Sequence, residues 1–148
     1  MGTLVHNKKA HFEYEILEEL EAGVSLLGSE VKALRGKLGS LAGARVLVRG
    51  GEALLVGATI PPYQPSNIAK DYDPERVRRL LVSKKEMRTL ADAEDAKGLT
   101  TIPLSLYTKG RNIKLSVGIV RGKKKADKRE KIRARDTQRE LQRELRRK

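Results

Sequence analysis

The last 28 residues of the chain have almost nothing to bury, so any fold must be built by the first 120. Residues 121–148 hold 14 Lys and Arg against 5 Asp and Glu, a net of +9, while the first 120 residues hold 18 against 14, or +4. Ile132, Leu141 and Leu145 are the only large apolar side chains in this run. Such a segment cannot offset the entropy lost on its own ordering, which predicts a mobile arm. A cationic arm on a nearly balanced body has the charge distribution of a polyanion binder.

The formal charge of +13 points the same way, to nucleic acid or another anionic surface. A soluble protein with a merely basic surface is the plainer alternative. There is no cysteine, which excludes disulfides and thiolate metal sites. His6 and His11 are the only histidines and form no metal-ligand pattern. No apolar run reaches the roughly 18 residues of a membrane helix, and no signal-peptide core opens the chain. The expectations are a cytoplasmic protein with no cofactor, no metal and no membrane partner.

Along the body, residues 1–9 show no apolar pattern and read as a loose N-terminal arm. From Phe12 the chain alternates, with Phe12, Tyr14 and Ile16 on one face and Glu13 and Glu15 on the other, which predicts a half-buried strand running towards Val24, with Gly23 as a bend or bulge. Leu26-Leu27-Gly28-Ser29 opens a short helix that Ser29 can cap, with an exposed Glu30–Lys32 face, Val31 and Leu34 inward, and Gly36 and Gly39 as stops. Residues 44–49 and 53–60 are apolar runs around Gly50-Gly51, a β-hairpin. Asp73-Pro74 predicts a second helix, with Val77, Leu80 and Leu81 inward and Arg76, Arg78 and Arg79 around them. Ser83-Lys84-Lys85-Glu86 has capping-box spacing and predicts a third, stopped at Gly98. Two strands follow, marked by Ile102, Leu104 and Leu106, then by Ile113, Leu115, Val117 and Ile119, with residues 109–112 as the turn. Roughly five or six short strands with about three flanking helices predict a mainly β fold, an OB-like closed antiparallel barrel. The expected organisation is an arm over 1–9, a barrel over 10–121 and a basic tail over 122–148.

Catalytic constellations are thin. Asp71, Asp73 and Glu75 cluster, but a helix cap accounts for Asp73. Gly28-Ser29-Glu30-Val31-Lys32 lacks the glycines and the Gly-Lys-Ser/Thr ending of a phosphate loop. No enzyme is expected. The basic groups are more informative: Arg76, Arg78 and Arg79 lie close together, and Lys8 and Lys9 precede the first strand. Five aromatic residues, four Tyr and one Phe, are too few for broad base-stacking platforms. Recognition should lean on phosphates and shape, as for structured RNA. DNA stays open on charge alone, since phosphate contacts do not discriminate.

Several phrases, in order, resemble one family. They are residues 7–14 (NKKAHFEY), 21–23 (EAG), 28–35 (GSEVKALR), 73–81 (DPERVRRLL), 98–100 (GLT), 103–107 (PLSLY) and 121–129 (RGKKKADKR). Together they are similar to the SmpB, or SsrA-binding protein, family of bacterial trans-translation, over roughly residues 7–136. The resemblance implies an OB-type barrel that binds the tRNA-like domain of transfer-messenger RNA, one protein per RNA, and helps deliver it to stalled ribosomes. It also implies that the tail is disordered when free and enters the empty messenger channel as a helix near the decoding centre of the small subunit. A general structural protein of the ribosome, anchored in ribosomal RNA, is the alternative.

Carried over by motif, Glu21 falls at an acidic RNA-contact position, where a carboxylate can accept from base amino groups or a ribose 2′-OH. Leu81 and Ser83 fall at two more, although Leu81 could equally be core and Ser83 a helix cap. Asn7, Lys8, Lys9, Lys32, Arg35, Arg76, Arg78 and Arg79 complete the expected RNA-binding set of the body. In the tail, Lys123, Lys124, Asp127, Lys128, Arg129 and Arg133 are the expected ribosome contacts. Ala126 stands where the family usually has an aromatic ring, which removes a stacking contact there.

Overall fold

The computed structural model describes residues 2–63 and 71–122. The strands are β1 (Thr3–His6), β2 (Tyr14–Val24), β3 (Arg45–Arg49), β4 (Glu52–Val56), β5 (Arg78–Leu81), β6 (Leu99–Lys109) and β7 (Asn112–Gly122), and the helices are α1 (Ala10–Glu13), α2 (Gly28–Arg35) and α3 (Lys84–Asp95). The seven strands form one antiparallel sheet in the order β1-β6-β7-β2-β5-β4-β3. The expected mainly β class is therefore right, but closure of the barrel is corrected. The hydrogen-bonded ladder ends at β1 on one side and β3 on the other. The sheet rolls until Cα atoms of β3 come within 8 Å of β6, without joining it.

Alternating apolar side chains make the strands and set the core. On β7, Ile113, Leu115 and Val117 point into the roll and meet Ala22, Leu34, Leu41, Val46, Leu55, Ile60, Leu80 and Leu106 in one cluster. A smaller cluster of Ala10, Ile102, Leu104 and Val120, flanked by Tyr14 and Ile16, lies apart from it. The register of β2 against β7 explains how one strand feeds both. The pairing slips between Ile16 and Glu18, leaving Leu17 45% exposed. One extra residue exchanges the faces of a strand, so Tyr14 and Ile16 serve the small cluster while Leu20 and Ala22 serve the large one. Gly23 is not the bulge. A Cβ there would sit 3.2 Å from Leu81 Cβ, so its glycine allows β5 to approach.

Local signals succeeded where side chains act on their own backbone. Gly50 and Gly51, with φ of 58° and 75°, turn β3 into β4 as expected of a two-residue hairpin. Ser83 Oγ accepts from the Glu86 amide at 3.2 Å while Glu86 returns a carboxylate to the Ser83 amide at 3.0 Å, so the capping box of α3 is real. The α3 carboxylate of Glu94 accepts from the Val48 amide on the outer edge of β3 at 2.9 Å and pairs with Arg49.

Four local expectations are corrected. Residues 3–6 are not loose: Thr3 pairs with Tyr107 and His6 with Ser105, and Val5 is buried. Two apolar residues make too short an alternation to register as a pattern, so β6 supplies the order. The chain before Tyr14 makes one turn of helix rather than starting the strand at Phe12. Ser29 does not cap α2; the cap is Leu27, whose amide donates to Glu30 Oε1 at 2.9 Å. Asp73-Pro74 starts no helix, because Asp73 Oδ1 accepts from the Glu75 amide at 2.9 Å in a tight turn. The chain then enters β5, where Arg78 and Leu80 are buried and Arg79 and Leu81 exposed. The helix count of three survives only because α1 takes the place of the missing helix.

Candidate nucleic-acid interface

The arginines of 76–79, expected together on one helix, are divided by the alternation of β5 and the turn before it. Arg78 is wholly buried and Glu30, the residue expected on an exposed face, is 1% exposed. Arg78 Nε and Nη2 donate to Glu30 Oε2 at 3.0 and 2.6 Å, while Nη1 reaches the Ala58 carbonyl at 2.7 Å and Nη2 the Pro74 carbonyl at 2.9 Å. Arg76 Nε donates to the same carboxylate at 3.1 Å, and its Nη2 pairs with Oε1. The Tyr72 hydroxyl donates to the Ile60 carbonyl at 2.7 Å and lies 3.0 Å from Glu30. Burial alone would push the Glu30 carboxyl up, but hydrogen bonds from Arg76, the Leu27 amide and Arg78 hold it below its ordinary value. Burial, followed by the neighbouring Glu30 carboxylate, pushes the Tyr72 phenol up. Arg78 therefore binds protein, not phosphate, which corrects its place in the expected set; Arg76 keeps a partly open guanidinium, 30% exposed.

Two shallow grooves lie on the other side of this network. The first, about 230 Å³, runs between the end of β2, α2 and the β6–β7 turn, and is lined by Gly23, Val24, Leu26, Leu81, Arg111 and Lys114 among others. Leu81 is 58% exposed there, which settles it as surface rather than core. Arg35 is held at this end by a bond from Nη2 to the Arg111 carbonyl at 3.2 Å, and Lys32 is exposed one turn earlier. The second groove, about 350 Å³, holds Thr3, Glu21, Ser105, Tyr107, Lys109 and Ser116. Glu21 accepts from the Tyr107 hydroxyl and from Lys109 Nζ at 3.1 Å, and these bonds, Tyr107's first, hold its carboxyl below the ordinary value. Lys114 of the first groove is the cross-strand partner of Tyr107 in the second, which makes the two grooves neighbours.

Desolvation, then the bond to Glu21, pushes the Tyr107 phenol up to about 12. A raised pKa favours the folded state below the ordinary value of 10.0, and that contribution is lost as pH rises through about 12. Glu21→Gln is expected to remove the charge-dependent part of the shift, so that Tyr107 ionises at lower pH in an ultraviolet difference titration. A curve superimposable on the wild type would show that the contact does not form.

The remaining expected residues are dispersed. Asn7 is 8% exposed and donates from Nδ2 to the Pro103 carbonyl at 2.8 Å, so its amide ties β1 to β6. Lys8 and Lys9 are exposed at the start of α1. Arg79 is exposed and sits 3.6 Å from Glu52. Ser83 is exposed and caps α3. Lys123, Lys124, Asp127, Lys128, Arg129 and Arg133 lie outside the described residues, as does the tail helix expected with them. Sequence reasoning missed Tyr107, Lys109, Arg111 and Lys114. The signal was present: Lys114 alternates with the core residues Ile113 and Leu115, and Lys109 and Arg111 flank the tip of the hairpin that ends at it.

Among the described residues no three His, Cys, Asp or Glu side chains are placed to hold a metal, and no helix is long and apolar enough to cross a membrane. A rolled antiparallel sheet with a cationic groove at Arg111 and Lys114, beside one that holds the Glu21–Lys109 pair, has the surface of a nucleic-acid-binding module. A family model described as SmpB protein matches residues 4–147, and the chain belongs to this family. It is 47% identical over 135 residues to an SsrA-binding protein of Microcystis aeruginosa, covering 91% of this chain and 88% of that one. It is 46% identical over 132 residues to an SsrA-binding protein of Mesoplasma florum, covering 89% of each. A solved chain described under the words "tmRNA-SmpB: a journey to the center of the bacterial ribosome" superposes with a TM-score of 0.69 at 40% identity, over 81% of this chain and 84% of that one.

Proposed function

We propose that the protein is a non-enzymatic RNA-binding adaptor of trans-translation, acting in the cytoplasm. Its body binds the tRNA-like domain of transfer-messenger RNA, one protein per RNA. Its basic C-terminal segment enters the empty messenger channel of a stalled ribosome, towards the decoding centre. Relatives called SsrA-binding proteins, matched over about nine-tenths of the chain, support this reading. The observation that supports it at residue level is that Lys114 and Leu81 of the first groove stand beside Tyr107 and Glu21 of the second, Lys114 being the cross-strand partner of Tyr107.

Each group then has a task suited to its chemistry. Glu21, kept ionised by Tyr107 and Lys109, accepts from base amino groups or a 2′-OH and repels a misplaced phosphate. Lys32, Arg35, Arg76, Arg79, Lys109, Arg111 and Lys114 neutralise the RNA backbone, with Lys8 and Lys9 extending the cationic surface. Leu81 presents an apolar face to a sugar or base. We also read the rolled sheet as an open variant of the OB architecture, a class that binds oligonucleotides on its sheet face.

A mobility-shift titration against isolated tRNA-like domain, with bulk tRNA as competitor at one fixed salt concentration, tests the assignment. The complex is expected to survive an excess of ordinary tRNA. Equal displacement by bulk tRNA would overturn it.

A further inference from the structure

We propose that Tyr63 is a stacking pad for one unpaired nucleobase, an inference that rests on reading the protein as an RNA binder. Tyr63 is 47% exposed, the most open of the described Tyr and Phe rings, ahead of Phe12 at 37%. Tyr72 and Tyr107 are each engaged through the hydroxyl, at Glu30 and Glu21. The Tyr63 hydroxyl has no hydrogen-bond partner among the described residues, so its ring is not placed to satisfy a buried polar group.

What it rests against is a glycine. A Cβ built on Gly36, the residue that ends α2, would lie 3.7 Å from Tyr63 Cε2. The ring edge therefore lies next to the space a side chain at Gly36 would take, while much of its area faces solvent. Gly36 lies between Arg35 and Lys37, both exposed, and Lys32 is exposed one turn earlier on the same helix. Lys37 turns the chain in the left-handed region at φ 62°, immediately after the helix. Pro61 and Pro62 restrict the backbone leading to the ring.

An open aromatic ring beside a helix end that carries exposed Lys32 and Lys37 has the composition that binds one nucleotide within a strand: the ring takes the base and the cations take the flanking phosphates. Stacking is tolerant of base identity, so the pad would secure an extruded base without reading it. That base could belong to transfer-messenger RNA or to the ribosome; the chemistry at Tyr63 is the same.

The chain contains no tryptophan, so Tyr63→Trp introduces a single indole whose emission, with that of the ribosomal proteins subtracted in the subunit titration, reports on this position. Titrated with isolated tRNA-like domain and, separately, with small ribosomal subunits, the variant is expected to lose emission as the source of the base binds. In parallel, Tyr63→Ala should bind that RNA about 5- to 150-fold more weakly, with Tyr63→Phe close to wild type and thermal unfolding unchanged in both. Unquenched emission with both RNAs, at concentrations where mobility shifts show both bound, would overturn the proposal and leave the adaptor reading standing. Failure of the wild type to prefer the tRNA-like domain over bulk tRNA would instead overturn the adaptor reading. In that case quenching by the ribosomal subunit alone would still uphold the pad.

Discussion

Glu30→Ala is expected to destabilise the protein by about 3–5 kcal/mol, the cost of leaving a buried charge without its partner. Arg78 is wholly buried and directs Nε and Nη2 at the Glu30 carboxylate. Removing the carboxylate strands that guanidinium together with half-buried Arg76, and no other carboxylate is bonded to either among the described residues. Glu30→Gln keeps the volume and one acceptor and should cost less. Replacing Glu30 and Arg78 together by apolar residues should cost less than the sum of the single changes, because the second change removes the stranded charge. The pH dependence has a definite sign. A carboxyl held below its ordinary value of 4.5 contributes stability above that pH, and the contribution is lost as pH falls through the folded value. Urea unfolding across this range should therefore show an acid-labile component in the wild type that Glu30→Gln lacks. Equal midpoints for Glu30→Ala and wild type at neutral pH would mean the network adds nothing.

Ending the chain at Gly122 is expected to abolish peptide tagging on stalled ribosomes while leaving the tRNA-like domain bound. Gly122 pairs with Tyr14 at the last register position of β7, so the cut removes no described strand or groove. The deleted residues 123–148 carry 13 Lys and Arg against 5 Asp and Glu. Losing a net +8 should flatten the salt dependence of RNA binding, by up to about 0.9 in logarithmic slope for each phosphate the segment had neutralised. The selectivity over bulk tRNA should persist if, as proposed, its determinants are the groove residues of the body. If the truncated body loses selectivity together with tagging, the division of labour is wrong.

How much the sequence disclosed followed the range of the interactions. Gly50-Gly51 and Ser83-Lys84-Lys85-Glu86 act within four residues, and both structures formed as expected. Asp73-Pro74 carried an equally good helix-start signal and failed. The competing demand came from Glu30, 48 residues away from Arg78, which needs a cation inside the roll and so favours an extended 78–81. Nothing near either residue announces that pairing. The open sheet was likewise illegible, since closure depends on whether β1 and β3 meet. The Glu21 and Leu81 positions came from the resemblance, whereas Lys109, Arg111 and Lys114 needed the fold to bring a hairpin tip beside them.

An open sheet carries a hazard that a closed barrel escapes, because each free edge is a template for another chain. On β3 that edge is partly occupied from within: Glu94 takes the outward amide of Val48 and anchors Arg49. Hydrogen bonds from Arg49 and Val48 hold the Glu94 carboxyl below its ordinary value, so the cover stays charged well into mild acid. One glutamate thereby helps to keep two copies of the chain from pairing edge to edge along β3.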